Sequence, residues 1–132
     1  MRLLAMMIVT LTVVSACGRD QPKTGAALFA DNCAVCHGAD GRGGGGAGVE
    51  GLSKTPPDLT QLAVQNGGVF PARAISISLE SYAVDGHRVP RLAGMADLQS
   101  DETQRVRFDG DRLRTTPPMA ALLVYLDQIQ AQ

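Results

Sequence analysis

The stretch Cys33-Ala34-Val35-Cys36-His37 decides how the rest of this 132-residue chain is interpreted. Its C-x-x-C-H spacing is that of a c-type haem attachment motif. Thiols at positions i and i+3 lie about one helical turn apart, so each can add to one vinyl group of the same porphyrin. The histidine that follows is then held beneath the macrocycle, where its imidazole can bind the iron as the proximal axial ligand. The motif predicts covalent haem on Cys33 and Cys36, with His37 as an iron ligand.

Three other kinds of site use a C-x-x-C pair: half of a zinc site, a redox-active dithiol and a structural disulfide. A zinc site needs a second pair of ligands, and Cys17 and His87 are the only other cysteine and histidine in the chain. A thioredoxin-like dithiol follows a strand in a βαβ pattern, and the sequence shows no such pattern. Haem attachment is therefore the favoured interpretation.

Residues 1–16 have the pattern of an export signal. Arg2 gives a short positive start, and the run from Leu3 to Val14 is apolar apart from threonines. This run suits a signal peptide and is shorter than the ~20 apolar residues of a transmembrane helix. It ends in Val14-Ser15-Ala16-Cys17, which resembles a bacterial lipobox and implies cleavage before Cys17 with acylation of its sulfur. The alternative is an ordinary signal peptide cut near Ala16, which leaves Cys17 as a free thiol.

The same segment predicts a location. Gly18 follows Cys17 where some bacterial lipoproteins carry aspartate, and that resemblance favours the outer over the inner membrane. We expect a protein that is lipid-anchored at the periplasmic face of a bacterial membrane. A soluble periplasmic protein is the alternative.

Composition indicates one small domain after the signal. Residues 17–23 are polar, contain Pro22 and read as a tether, which leaves residues 24–132 as the domain. The whole chain has 12 basic and 13 acidic residues and a formal net charge of −1, which gives no support to nucleic-acid binding. Aromatic residues make up only 4% of the chain, and a buried porphyrin would replace the aromatic core that is missing.

Local signals predict a mainly α-helical domain. Thr24 can cap a helix that runs through the cysteine motif and ends at Gly38. Asp58 can cap a short helix that Gly67-Gly68 stops, and Pro71 is suited to the first turn of another helix.

The end of the chain combines a hairpin with an amphipathic helix. Asp109-Gly110 lies between two runs in which apolar residues alternate with arginines, which predicts a β-hairpin. The last helix opens at Pro117-Pro118. It carries one apolar stripe, made of Met119, Leu122, Leu123, Leu126 and Ile129.

The motif, the helix before it and the amphipathic last helix together resemble class I cytochromes c, in particular the small proteobacterial mono-haem forms. Gly25 and Phe29 stand eight and four residues before Cys33, and Leu122 and Tyr125 lie on the last helix. In that family, residues of these types let the first and last helices cross closely. The resemblance spans about residues 25–130 and implies this mainly α fold over a covalently bound haem. It also implies that a carbonyl near Pro56 or Pro57 accepts a hydrogen bond from the His37 ring.

The distal iron ligand is where the chain departs from the family. Related sequences tend to supply it as methionine in a Met-Pro pair, but Val89 stands before Pro90 here and cannot bind iron. Met95 lies six residues further on, beside Gly94, and is the favoured distal ligand. His87 and Met119 are the alternatives, and a vacant position is a third possibility.

These features predict an electron carrier rather than an enzyme. We expect a membrane-tethered cytochrome that passes single electrons between redox partner proteins of the periplasm or inner membrane. One alternative is a haem-based gas sensor or peroxidase-like enzyme with an open sixth coordination site. Another is the haem subunit of a larger dehydrogenase or oxidase.

Six arginines cluster before the last helix, and their role is open. They could form a solvated surface balanced by nearby acidic residues, pair with haem propionates, or attract an acidic redox partner. They are Arg88, Arg91, Arg105, Arg107, Arg112 and Arg114.

Overall fold

The helix that leads into the cysteine motif is short and capped. The computed structural model of the chain describes residues 21–43, 55–84, 95–109 and 111–131, and its first helix, α1, spans Gly25–Asn32. The Ala27 N–H donates to Thr24 Oγ1 at 3.2 Å, which satisfies one of the free donors of the first turn. The sequence therefore identified the start of this helix and its cap.

The predicted continuous helix to Gly38 is wrong at Cys33, where the chain turns and a second helix, α2 (Ala34–His37), begins. Cys33 has φ −117°, well away from α-helical values, although its N–H still donates to Phe29 O at 2.8 Å. Its carbonyl then accepts from the N–H groups of both Cys36 and His37, at 3.1 and 2.9 Å. The motif thus has its own turn of backbone hydrogen bonds, which starts at its first cysteine.

The middle of the described chain is also helical. A 3₁₀ turn at Leu59–Gln61 leads into α3 (Leu62–Gln65), and α4 spans Ala72–Val84. Asp58 caps the 3₁₀ turn, because its Oδ1 accepts from the Thr60 N–H at 2.8 Å. A second 3₁₀ turn, Ala96–Leu98, follows Met95.

The predicted hairpin is present. Strand β1 (Gln104–Phe108) pairs with β2 (Asp111–Thr115) in antiparallel register, with Val106 opposite Leu113. Phe108 and Leu113 are buried, and the Phe108 ring lies 5.8 Å from the ring of Phe70. One face of the hairpin therefore packs on the helices.

The last helix, α5 (Pro117–Gln128), crosses α1 at close range. It starts at the predicted proline pair, and Thr116 caps it by accepting from the Met119 N–H at 3.3 Å. A Cβ added to Gly25 would lie 2.7 Å from the Tyr125 Cβ and closer still to the Ala121 carbonyl oxygen. Glycine is therefore required at this crossing, as the resemblance implied.

The core lies between these helices and the hairpin. Phe29 and Tyr125 stack in a tilted pair with ring centroids 5.3 Å apart, and Leu122 is fully buried beside them. The architecture is mainly α with one hairpin before the last helix, as the sequence predicted.

Several predictions concern residues outside the described ranges. They include the signal segment 1–16, Cys17, His87, Val89 and the glycine run Gly43–Gly46 beyond its first residue. Within the ranges that the structure does describe, no helix has both the length and the apolar character needed to span a bilayer.

Candidate haem-binding site

A cavity of about 630 Å³ lies beside the cysteine motif. Its volume falls in the ~300–1,000 Å³ range of cofactor pockets, and apolar groups predominate in its lining. Cys33, Cys36 and His37 line it together with Met95. The remaining wall comes from three parts of the fold: the segment around Pro56 and Pro57, helix α4 through Ile75 and Leu79, and helix α5 through Leu122 and Leu126.

Both cysteines of the motif are thiols on this wall. Cys33 and Cys36 are half-buried and are not joined in a disulfide. Burial, with a smaller contribution from the neighbouring Cys36, raises the pKa of the Cys33 thiol to about 11. Cys33 is therefore neutral at pH 7, and a thioether at this position would leave no group to titrate.

The ring of His37 is held by one hydrogen bond. Its Nδ1–H donates to the Pro57 carbonyl oxygen at 3.0 Å, and because a carbonyl only accepts, Nδ1 carries the proton. The Nε2 lone pair is left to bind a metal. A bond of this kind fixes the tautomer and ring orientation of a metal-binding histidine.

The Pro57 carbonyl is itself held in place by the loop after α2. Gly43 has φ +83°, and a Cβ there would lie 2.5 Å from the Pro56 carbonyl oxygen. The Gly43 N–H donates to the His37 carbonyl at 2.8 Å, and the Leu59 N–H donates to the Gly41 carbonyl at 2.7 Å. The loop therefore brings the proline pair against the motif, and only glycine fits at position 43.

Met95 reaches the same cavity from a different part of the chain. It is only 5% exposed and precedes the 3₁₀ turn Ala96–Leu98, whose Leu98 N–H donates to the Met95 carbonyl at 2.8 Å. Thr116 Oγ1 donates to the Leu98 carbonyl at 2.7 Å while it caps α5. The start of the last helix therefore fixes the turn that carries Met95.

A pair of ion pairs fixes the other side of this turn. Lys23 Nζ lies 2.8 Å from an Asp31 carboxylate oxygen on α1 and 2.9 Å from one of Asp97. The hydrogen bond from Lys23 holds the pKa of Asp97 below its ordinary value, and the bonds to Asp31 and Asp97 raise the pKa of Lys23. Lys23, the last residue of the predicted tether, thus joins α1 to the turn after Met95.

The other two candidates for the distal ligand differ from Met95 in their placement. Met119 is 3% exposed in the core between the helices and is not among the residues that line the cavity. His87 lies outside the described residues. Of the candidates the structure describes, Met95 alone shares a cavity with His37.

The donor set fits a haem better than a zinc ion. In the described part of the chain, no three His, Cys, Asp or Glu side chains are grouped closely enough to hold a metal. The cavity instead combines two thiols, one imidazole with a free nitrogen and one thioether within apolar walls. These groups match covalent attachment and axial ligation of a haem.

The family comparison agrees with this geometry. The family model for cytochrome c matches residues 22–122, which is more than half of the 132-residue chain. The chain belongs to the cytochrome c family. This cytochrome c therefore carries covalently bound haem c, usually one in a small member of the family, and is in general terms a haem-based electron carrier. A search of curated proteins and a search of solved structures gave no significant match to it.

One side chain that supports the site, that of Gln130, was not predicted from the sequence. Gln130 Nε2 donates to the Leu59 and Leu126 carbonyls, at 2.9 and 2.6 Å, and its Oε1 accepts from the Ala63 N–H at 2.8 Å. This one side chain joins the end of α5 to the segment after Pro57. A lone glutamine near a C-terminus carries no sequence signal for that role.

Proposed function

We propose that this cytochrome c is a mono-haem electron carrier of the periplasm, tethered to a membrane through Cys17. In this proposal, Cys33 and Cys36 hold the haem covalently, His37 is the proximal axial ligand and Met95 is the distal one. The observation that carries the proposal is the single cavity that Cys33, Cys36, His37 and Met95 line together.

The two proposed axial ligands, His37 and Met95, are held in the way that an electron carrier requires. A bound haem supplies a one-electron iron couple, and axial ligation by histidine and methionine raises its potential. The His37 ring is fixed by Pro57 at 3.0 Å, and Met95 is almost fully buried on a turn that Thr116 and Lys23 hold. Ligands that are held before the electron arrives need little rearrangement when the charge on the iron changes.

The apolar walls support the same function. Leu122, Leu126, Ile75 and Leu79 line the cavity, and the first two are buried in the core. Such a wall excludes water from the bound group and raises the potential of a metal centre. Among the described residues, the titratable groups that line the cavity are Cys33, Cys36 and His37. In this proposal all three are taken up by haem attachment and iron ligation, so the described wall keeps no further group for proton transfer to a substrate.

The test replaces the distal candidates one at a time in the holoprotein. Met95→Ala should open a coordination position, lower the midpoint potential and admit carbon monoxide to the reduced protein, while the fold persists. The weak methionine-to-iron absorption band at the red end of the ferric spectrum should disappear with it. His87→Ala and Met119→Ala should leave this band and the carbon monoxide response unchanged.

Two results would count against the proposal in different ways. A spectral change that follows His87 or Met119 would assign the distal position to that residue and leave the carrier function standing. Tight carbon monoxide binding by the unaltered protein would favour the gas sensor or peroxidase-like alternative, because the iron would then be open.

The tether has a separate test. The unaltered chain should be recovered in the membrane fraction with an acylated mature N-terminus, and Cys17→Ser should be released, because serine cannot form the thioether to the lipid. Two or three acyl chains give stable anchoring where one gives only marginal binding. Mass spectrometry that finds an unmodified mature N-terminus would contradict the anchor.

A further inference from the structure

The outer face of the hairpin presents four arginines in two directly opposed pairs. The register sets Arg105 opposite Arg114 and Arg107 opposite Arg112, and all four side chains are exposed. Opposed residues of an antiparallel pair share a face and lie about 4.5–5.5 Å apart, while residues two apart along a strand are separated by about 7 Å. The Cα atoms of the four arginines therefore form a compact, nearly rectangular array, and the surface made by their side chains is here called the arginine face.

This arrangement does not stabilise the hairpin. Like charges directly opposite each other on two strands are destabilising. Within the described ranges, none of the four arginines forms a salt bridge, since the basic residues that do are Lys23, Arg42 and Arg73. Among the described residues, their guanidinium groups make one hydrogen bond, from Arg114 Nε to Thr103 Oγ1 at 2.9 Å, which orients Arg114 without neutralising it.

Asp111, the acidic residue next to Arg112 in the chain, is paired with a helix residue. Arg73 of α4 holds both carboxylate oxygens of Asp111, at 2.8 and 3.1 Å, and also donates to the Arg112 carbonyl at 2.8 Å. Asp111 is therefore engaged by the helix beneath and not by the arginines of its own sheet. The same contacts connect the hairpin that carries the arginine face to α4.

The arginine face is separate from the haem cavity. None of the described residues that line the cavity comes from the hairpin. The opposite face of the hairpin, with Phe108 and Leu113, packs into the core. A molecule bound to the arginine face therefore leaves the cavity lining untouched.

We propose that the arginine face is a docking surface for an acidic segment of a partner protein. Guanidinium groups bind carboxylates through paired N–H donors, and an extended segment with acidic residues at every second position repeats at the same spacing of about 7 Å. This inference is independent of the distal ligand and of the membrane anchor.

A protein segment fits better than a membrane surface. The arginine face is bordered by exposed acidic residues on both sides, namely Asp101, Glu102 and Asp109, and the whole chain has a net charge of −1. A broad anionic bilayer would bring its headgroups against these carboxylates as well as against the arginines. A narrow acidic segment can lie on the four arginines alone.

The experiment measures binding of two peptides to the holoprotein by calorimetry at low ionic strength. One 12-residue peptide has glutamate at alternate positions, and the other has glutamine at those positions. Only the glutamate peptide should bind, and its affinity should fall as salt is added. Arg105→Gln, Arg107→Gln, Arg112→Gln and Arg114→Gln should each weaken binding by roughly 1.5- to 5-fold.

Arg42→Gln is the matched control. It removes the same unit of charge from an exposed arginine outside the hairpin, 3.9 Å from Asp40, and should leave peptide binding unchanged. Each hairpin variant should keep or raise the melting temperature, because a like-charge pair is removed, and should keep the midpoint potential.

Three outcomes would overturn the proposal. The first is equal weakening by Arg42→Gln, which would show attraction to charge in general. The second is binding to phosphatidylcholine vesicles containing phosphatidylglycerol without binding to the glutamate peptide, which would assign the face to a membrane. The third is a shifted midpoint potential with unchanged peptide binding, which would show that the arginines serve the haem.

Discussion

Replacing Gly25 by alanine is the sharpest test of how the first and last helices are held together. The added Cβ would lie 2.7 Å from the Tyr125 Cβ and 2.8 Å from the Ala121 carbonyl carbon. Ordinary carbon contacts begin near 3.4 Å, so relief of the Tyr125 contact alone would require α1 and α5 to separate by about 0.7 Å. The Ala121 carbonyl oxygen, which lies closer still to the added Cβ, would require a larger separation. No side-chain rotation can relieve this, because the atoms that would clash are backbone atoms and a Cβ.

The expected magnitude follows from two opposing effects. Overpacking of this kind costs about 1–3 kcal/mol and sometimes more, and backbone contacts put Gly25→Ala at the upper end. Alanine is better than glycine inside a helix by ~1 kcal/mol, which offsets part of the loss. We expect a net loss of about 2 kcal/mol in the free energy of unfolding, or a melting temperature lower by roughly 8 °C.

The assay is denaturant unfolding of the holoprotein, followed by far-ultraviolet circular dichroism and by haem absorbance. Gly25→Val should cost more than Gly25→Ala, because its branched side chain needs a wider separation of the helices. Ala30→Ser is the control, since Ala30 is exposed on the same helix, and it should change stability by less than about 0.5 kcal/mol. A Gly25→Ala protein as stable as the unaltered one would refute the close crossing of α1 and α5.

Three further predictions follow from the distal side of the fold. Met119→Ala should lower stability by about 2–5 kcal/mol, because a buried side chain leaves a cavity, whereas Met119→Leu should cost less than about 1.5 kcal/mol and neither should alter the haem spectrum. Thr116→Ala should cost about 1–2 kcal/mol by removing the helix cap and should also perturb the Met95 absorption band, while Thr116→Ser should do neither. Asp97→Asn should be less stable than the unaltered protein at neutral pH. Because the hydrogen bond from Lys23 lowers the pKa of Asp97, the difference should be full above the ordinary Asp pKa of about 4 and should be lost as pH falls through the lowered pKa. A stability difference for Asp97→Asn that does not shrink as pH falls below about 4 would contradict the ion pair as its cause.

The parts of the fold that could be predicted are those set by neighbouring residues. Thr24 and Asp58 cap the elements that follow them, as predicted. The Asp109-Gly110 pair lies between two strands, and Asp109 has the positive φ of 40° that such a tight turn favours. The proline pair marks the start of α5. Each of these signals acts within a few residues of the structure it specifies.

The parts that could not be predicted depend on residues far apart in the chain. Lys23 meets Asp97 across 74 positions, and Gln130 meets Leu59 across 71. No local pattern distinguishes these side chains from other surface residues, because their partners are chosen by the folded arrangement of α1, α5 and the loops.

The residues of the candidate site also fall into these two groups, those that a local pattern predicts and those that only the folded chain brings together. Cys33, Cys36 and His37 could be assigned from five consecutive residues, while Met95 could be singled out only by elimination and by resemblance. Its place in the cavity that His37 also lines depends on Thr116 and Lys23, neither of which is near it in sequence. The role of Met95 as the distal ligand stays a prediction.

Helix α5 forms part of the wall of the cavity that Cys33 and Cys36 also line. This arrangement has a consequence for folding and haem attachment. Cys33 and Cys36 are synthesised long before Leu122 and Leu126, and these two leucines complete the wall against which the thiols are buried. Bringing such distant residues together costs the entropy of closing the long intervening chain. In a chain whose α5 is not yet docked, this part of the wall is missing, and the two thiols are less covered than in the folded protein. Docking of the last helix completes the apolar wall against which an attached haem would be enclosed.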